Sequence, residues 1–88
     1  MDNTEKKRVS WSGHYIADET LFKATGFANH MISEGKPLKE AIGKAANYYK
    51  LLFSAVALEF MVDKWLRRED PAYKGQDATK EDLEEFKR

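Results

Sequence analysis

The sequence predicts an all-α fold: a small helical domain of two main helices, at about 19–34 and 37–68, with a short C-terminal helix at about 80–87 and an extended N-terminal arm. Three observations carry this expectation. Apolar residues recur at three- and four-residue spacing from Leu21 to Met31 and again from Leu38 to Trp65. Helix punctuation stands at the ends of these stretches, at Asp18, Gly35, Pro37 and Glu69-Asp70-Pro71. The one alternating segment, Val9 to Ile16, is interrupted by Gly13 and has no pairing strand nearby.

Met1 to Arg8 is polar and charged and is expected to be a disordered tail. Val9 to Ile16 reads as an arm whose Trp11, Tyr15 and Ile16 pack on a helix, because a hairpin without a third strand is marginal. The first helix starts after Asp18, a good N-cap, with Glu19 in the electropositive first turn. Leu21, Ala24, Ala28 and Met31 form its stripe, widened by Phe22, Phe27 and Ile32. Gly35 suits the left-handed residue after a helix, and Pro37 suits the start of the next.

From Pro37 to Arg68 two apolar stripes can be counted. The first is Leu38, Ile42, Ala45, Tyr49, Leu52 and Val56, and it fails at Glu59 and Asp63. The second is Leu51, Ala55, Leu58, Val62 and Trp65, on nearly the opposite side of the same helix. Between Leu51 and Leu58 the segment is apolar all round and must be buried all round. Either the helix breaks near Lys50 and both halves face one core, or it continues and its second stripe meets another chain. No breaker residue stands near Lys50, which favours a continuous helix or a weak kink. A continuous helix of that length would be about 48 Å long and would protrude from a domain of this size. Its second stripe would then need a partner.

Glu69-Asp70-Pro71 ends the helix, and Tyr73 to Gln76 reads as a turn. Thr79 with Asp82 resembles a capping box with Asp in place of Glu or Gln, ahead of the short helix. Residues 69–88 are acidic, with seven carboxylates against four cations. The whole chain is expected to form a single domain.

Composition narrows function. With 88 residues and no cysteine, disulfides, thiolate metal sites and thiol nucleophiles are excluded. Such a domain buries roughly 60–65% of the surface its unfolded chain exposes, so a deep dry catalytic pocket is hard to build. Fifteen cations balance 15 carboxylates, which argues against a bulk electrostatic grip on nucleic acid or anionic lipid. The apolar run Leu51 to Leu58 is far shorter than the ~20 residues of a membrane span. No apolar stretch of signal-peptide type follows Lys6-Lys7-Arg8, so a cytoplasmic location is expected.

Each candidate motif also has an ordinary structural role. A helix-turn-helix register places Ala46 at the close-packed position and Ala45, Tyr49, Leu51 and Val56 at apolar ones. It puts Lys50 where glycine is favoured, and its reading helix, Phe53 to Leu58, has no Arg, Asn or Gln to reach base edges. Lys6, Lys7 and Arg8, with Lys64, Arg67 and Arg68, are the candidate nucleic-acid contacts of that reading, although cations also suit a helix C-terminus. His30 and Glu34 share one helix face, as a metal pair can, but two ligands make no site, and His14 stands alone. The aromatic series Tyr48, Tyr49, Phe53, Phe60 and Trp65 suits a core or an interface better than a base-stacking platform. Glu59 and Asp63 argue against a membrane-surface helix.

The expectation is therefore a non-enzymatic interaction or regulatory module without a cofactor. It pairs with a second copy, and with an unidentified protein partner, through Leu58, Phe60, Met61, Val62 and Trp65. A small helix-turn-helix-like DNA-binding regulator is the alternative.

Overall fold

Asp18 opens the first helix as its position predicts. In the computed structural model, which describes residues 7–9 and 16–87, the Asp18 carboxylate accepts from the Thr20 backbone N–H at 2.9 Å. Helix α1 then runs Glu19–Ser33. It closes on a Schellman motif: Gly35, at φ 101°, donates to the Ile32 carbonyl at 2.9 Å, and Lys36 donates to that of Met31 at 3.0 Å. Helix α2 follows at Leu38–Tyr49, α3 at Phe53–Glu69 and α4 at Lys80–Lys87. The fold is all-α. Ahead of α1, the backbone of Lys7–Val9 (β1) pairs antiparallel with Ile16–Asp18 (β2), with Lys7 opposite Asp18. Thus Lys7 and Arg8, expected in the tail, enter a strand, while the expected packing of Trp11 and Tyr15, and of the Ile16 side chain, lies outside the described residues.

The segment expected as one helix over 37–68 is broken at Lys50 into α2 and α3. Lys50 adopts the left-handed conformation at φ 58° and ψ 46°. Its N–H donates to the Asn47 carbonyl at 3.3 Å and that of Leu51 to the Ala46 carbonyl at 2.8 Å, a second Schellman motif with Lys in the glycine position. The cause is packing. A continuous helix of about 48 Å exceeds the longest dimension of the molecule, 32 Å. The break instead lets both halves face α1, and it tucks Leu51 against the core.

The core forms where α1 crosses α2 and α3. Ala24, Phe27, Ala28 and Met31 of α1 meet Ala41, Ile42, Ala45 and Ala46 of α2 and Val56 and Phe60 of α3. The many alanines allow close helix approach at the expense of buried area. At one end Phe86 of α4 stacks on Phe27 with ring centroids 4.2 Å apart, and Tyr48 and Tyr49 close the same cluster. The capping box that opens α4 is present and reciprocal. Thr79 N–H donates to Asp82 Oδ2 at 3.3 Å, and Asp82 N–H to Thr79 Oγ1 at 3.1 Å.

Residues 70–79 are pinned between α1 and α3. Gly26 makes this possible: a Cβ there would stand 2.8 Å from the Ala78 nitrogen and 2.9 Å from the Asp77 carbonyl carbon, both backbone atoms. Among the described residues no helix is long and apolar enough to cross a membrane.

Candidate protein-binding site

Two features of α3 stand out, one on each side of the helix. The inward side carries Glu59 and Asp63. Their polarity predicts the end of the first stripe, yet they continue its three- and four-residue spacing and are buried. Asp63 has no exposed surface, and both its oxygens are saturated. Oδ1 accepts from Tyr73 Oη at 2.9 Å and the Gln76 backbone N–H at 3.1 Å; Oδ2 accepts from Arg67 Nε at 2.8 Å and Asn29 Nδ2 at 3.1 Å. Gln76 Nε2 donates to Glu59 Oε2 at 2.8 Å and to Tyr73 Oη at 3.0 Å. Burial pushes the Glu59 carboxyl up and outweighs the Gln76 hydrogen bond, with the neighbouring Asp63 charge adding to the rise. Burial likewise raises the Tyr73 phenol. This cluster fastens the 70–79 loop to the helices.

The outward side is apolar. Leu58 is 63% exposed and Met61 65%, one turn apart, and Trp65 a further turn along is 44% exposed. Val62 beside them is half-buried. Phe60, expected on this face, is a core residue at 7% exposure. At 100° per residue it sits almost opposite Val62, on the side that meets α1 and α2. Leu52, expected in the buried first stripe, is instead thrown outward by the break at Lys50 and is 74% exposed.

Beside this face α2 and α3 enclose an apolar groove of about 420 Å³. Leu38, Ile42, Phe53, Ala57, Phe60 and Met61 line it, together with Lys39. Sequence reasoning missed the groove, since it exists only because the chain turns at Lys50. The available signal was the surplus of apolar residues from Leu51 to Leu58, more than one helix side can bury.

Of the candidate nucleic-acid residues, Lys64, Arg67 and Arg68 have described side chains. Lys6 lies outside the described residues, as do the side chains of Lys7 and Arg8. Arg67 is committed to Asp63 and, through Nη2, to Asp77 Oδ1 at 3.1 Å. Arg68 Nε lies 4.0 Å from Glu69 Oε2, and Lys64 Nζ sits 5.0 Å from the centroid of the Phe60 ring. His30 Nε2 is 3.1 Å from Glu34 Oε2, an ion-pair distance when the imidazole is protonated. Among the described residues no three His, Asp or Glu side chains are grouped to hold a metal, and His14 lies outside them. Tyr48 and Tyr49 leave the expected aromatic row for the cluster around Phe27.

Comparison with protein-family models, with curated proteins and with solved structures finds no match to this chain.

Proposed function

We propose that this chain is a non-enzymatic protein–protein interaction module that pairs with a second copy through the outer face of α3. The observation that carries the reading is the pair Leu58 and Met61, each more than 60% exposed on one side of a helix whose other side is fully engaged. Soluble monomers rarely leave contiguous apolar patches of this kind uncovered. Half-exposed Trp65 is the residue type most often found as an interface anchor. Pairing by a two-fold axis would lay the same patch of each copy on the other. The non-enzymatic part is supported by the two buried carboxylates, whose hydrogen bonds are turned to holding the loop.

The test is solution mass by light scattering over a tenfold concentration range. The expected value is about 20 kDa, twice the 10.2 kDa of one chain, falling to one chain for Leu58→Glu. A wild-type mass of one chain throughout would sink the pairing.

One observation favours a second reading. Buried Ala46, left-handed Lys50 and a three-residue turn reproduce the local requirements of a helix-turn-helix. As a small DNA-binding regulator the chain would have to present Leu52, Phe53, Leu58 and Met61 to the duplex, a face without base-reading donors. Duplex retention at low salt that falls steeply with added salt is the result that would promote this reading.

A further inference from the structure

We infer that the groove between α2 and α3 receives an acidic amphipathic helix from a different protein. This deepens the reading of the chain as an interaction module and rests on it; the groove adjoins the self-pairing face and shares Met61 with it.

The walls and the rim carry opposite chemistry. Leu38, Ile42, Phe53, Ala57, Phe60 and Met61 make the walls apolar. Two lysines stand at it, one from each helix: Lys39 lines the groove from α2, and Lys64 of α3, outside the lining, holds its ammonium 5.0 Å from the ring centroid of Phe60, itself a groove residue. Among the described residues no carboxylate lines the groove. Glu59 and Asp63 of α3 are buried on the inward side, and Glu40 of α2 faces Lys44, with oxygen and nitrogen 3.7 Å apart. The rim is therefore cationic although the chain as a whole is neutral.

An apolar trough with a cation from each of its two helices beside it matches a helix bearing apolar residues at i, i+3, i+4 and i+7 and carboxylates flanking them. Two alternatives fit less well. A second copy seated here by two-fold symmetry would bring the same lysines toward each other. A small apolar ligand would fill the groove and leave Leu52 beyond it uncovered.

The test uses the full chain and two synthetic fluorescent peptides with one common leucine stripe, one with a Glu-rich and one with a Lys-rich polar face, read by anisotropy. The Glu peptide is expected to bind about tenfold or more tightly than the Lys peptide, since two rim ion pairs of ordinary surface strength supply that ratio. Added salt should shrink the difference. The double variant Lys39→Glu, Lys64→Glu should reverse the preference, and Leu38→Asp, at an exposed wall position, should weaken both peptides. Equal affinity for the two faces, indifference to the rim reversal, or binding of a fatty acid but of neither peptide would overturn the proposal. Solution mass separates this from the self-pairing: a 10.2 kDa species that keeps the peptide preference removes only the homodimer. A stable wild-type dimer whose Leu58→Glu monomer, altered outside the groove lining, also lacks that preference removes only the groove.

Discussion

Asp63 and Glu59 occupy the same buried stripe one turn apart, and their environments assign them opposite energetic roles. Asp63 accepts four hydrogen bonds, one from a guanidinium, so its charge is compensated in place. Asp63→Asn would set an amide against donors from Asn29, Tyr73 and the Gln76 backbone. It is expected to lower stability by about 2–4 kcal/mol, seen as an earlier urea midpoint. Glu59 accepts from Gln76 alone among the described residues, and burial disfavours its charged form. The sign follows from linkage: with its folded pKa raised, the native state holds the proton more tightly than the unfolded state. Stability contributed at this position is therefore fully present below the unfolded value, is lost as pH rises through the raised pKa, and stays lost above it. Glu59→Gln keeps an acceptor for Gln76 and removes the charge. It should raise the urea midpoint at neutral pH and flatten the rise in stability that the wild type shows on mild acidification. A wild-type-like pH profile in the variant would assign that dependence to other groups. At this scale the sequence was readable only in part. The spacing of Val56, Glu59 and Asp63 continues a buried stripe, but the residues that make burial tolerable, Asn29, Tyr73 and Gln76, carry no pattern of their own.

Among the elements, those with chemical punctuation were legible. Asp18, Gly35 and the pair Thr79–Asp82 cap helices where the sequence placed them, because a cap is a local hydrogen-bonding requirement written in one or two side chains. The break at Lys50 was not legible as a break, because a lysine carries out a turn that glycine usually makes. The left-handed conformation costs a non-glycine residue roughly 1–2 kcal/mol, and the packing of Leu51, Val56 and Phe60 in the common core offsets it. Lys50→Gly should relieve that strain, less the extra unfolded-state freedom of glycine, for a net gain of up to about 1 kcal/mol. In a domain of this size that is a rise in melting temperature of about 4–8 °C. Lys50→Ala removes the side chain without the strain and should leave the melting temperature nearly unchanged; equal gains in the two variants would contradict the backbone explanation. Gly26→Ala should act in the opposite direction, since its Cβ would meet the backbone of Asp77 and Ala78. A loss of about 1–3 kcal/mol is expected, together with earlier hydrogen exchange in the 70–79 loop.

On the scale of the whole molecule, the core is complete within one chain but small. Its largest fully buried side chains are Phe27, Leu66, Gln76, Val56, Thr25 and Asp63, of which half are polar, and much of the remaining helix contact is alanine. Hydrophobic stabilisation scales with apolar area removed from water, so a single chain of this kind is marginal while Leu58 and Met61 face solvent. Self-pairing through α3 would cover them without rearranging the core, and dissociation would leave a folded monomer. Mass action then fixes a thermal signature: a species stabilised by pairing melts higher as its concentration rises. The wild type should therefore show a melting temperature that climbs over a hundredfold concentration range. Leu58→Glu should melt cooperatively, with the same helical circular dichroism, at a temperature independent of concentration. A wild-type dimer whose melting temperature is nonetheless independent of concentration would show that pairing is not coupled to folding and would overturn this stabilising role of the α3 face. Retained folding in Leu58→Glu alongside a concentration-independent wild-type monomer would place the role of the apolar face with a foreign partner alone.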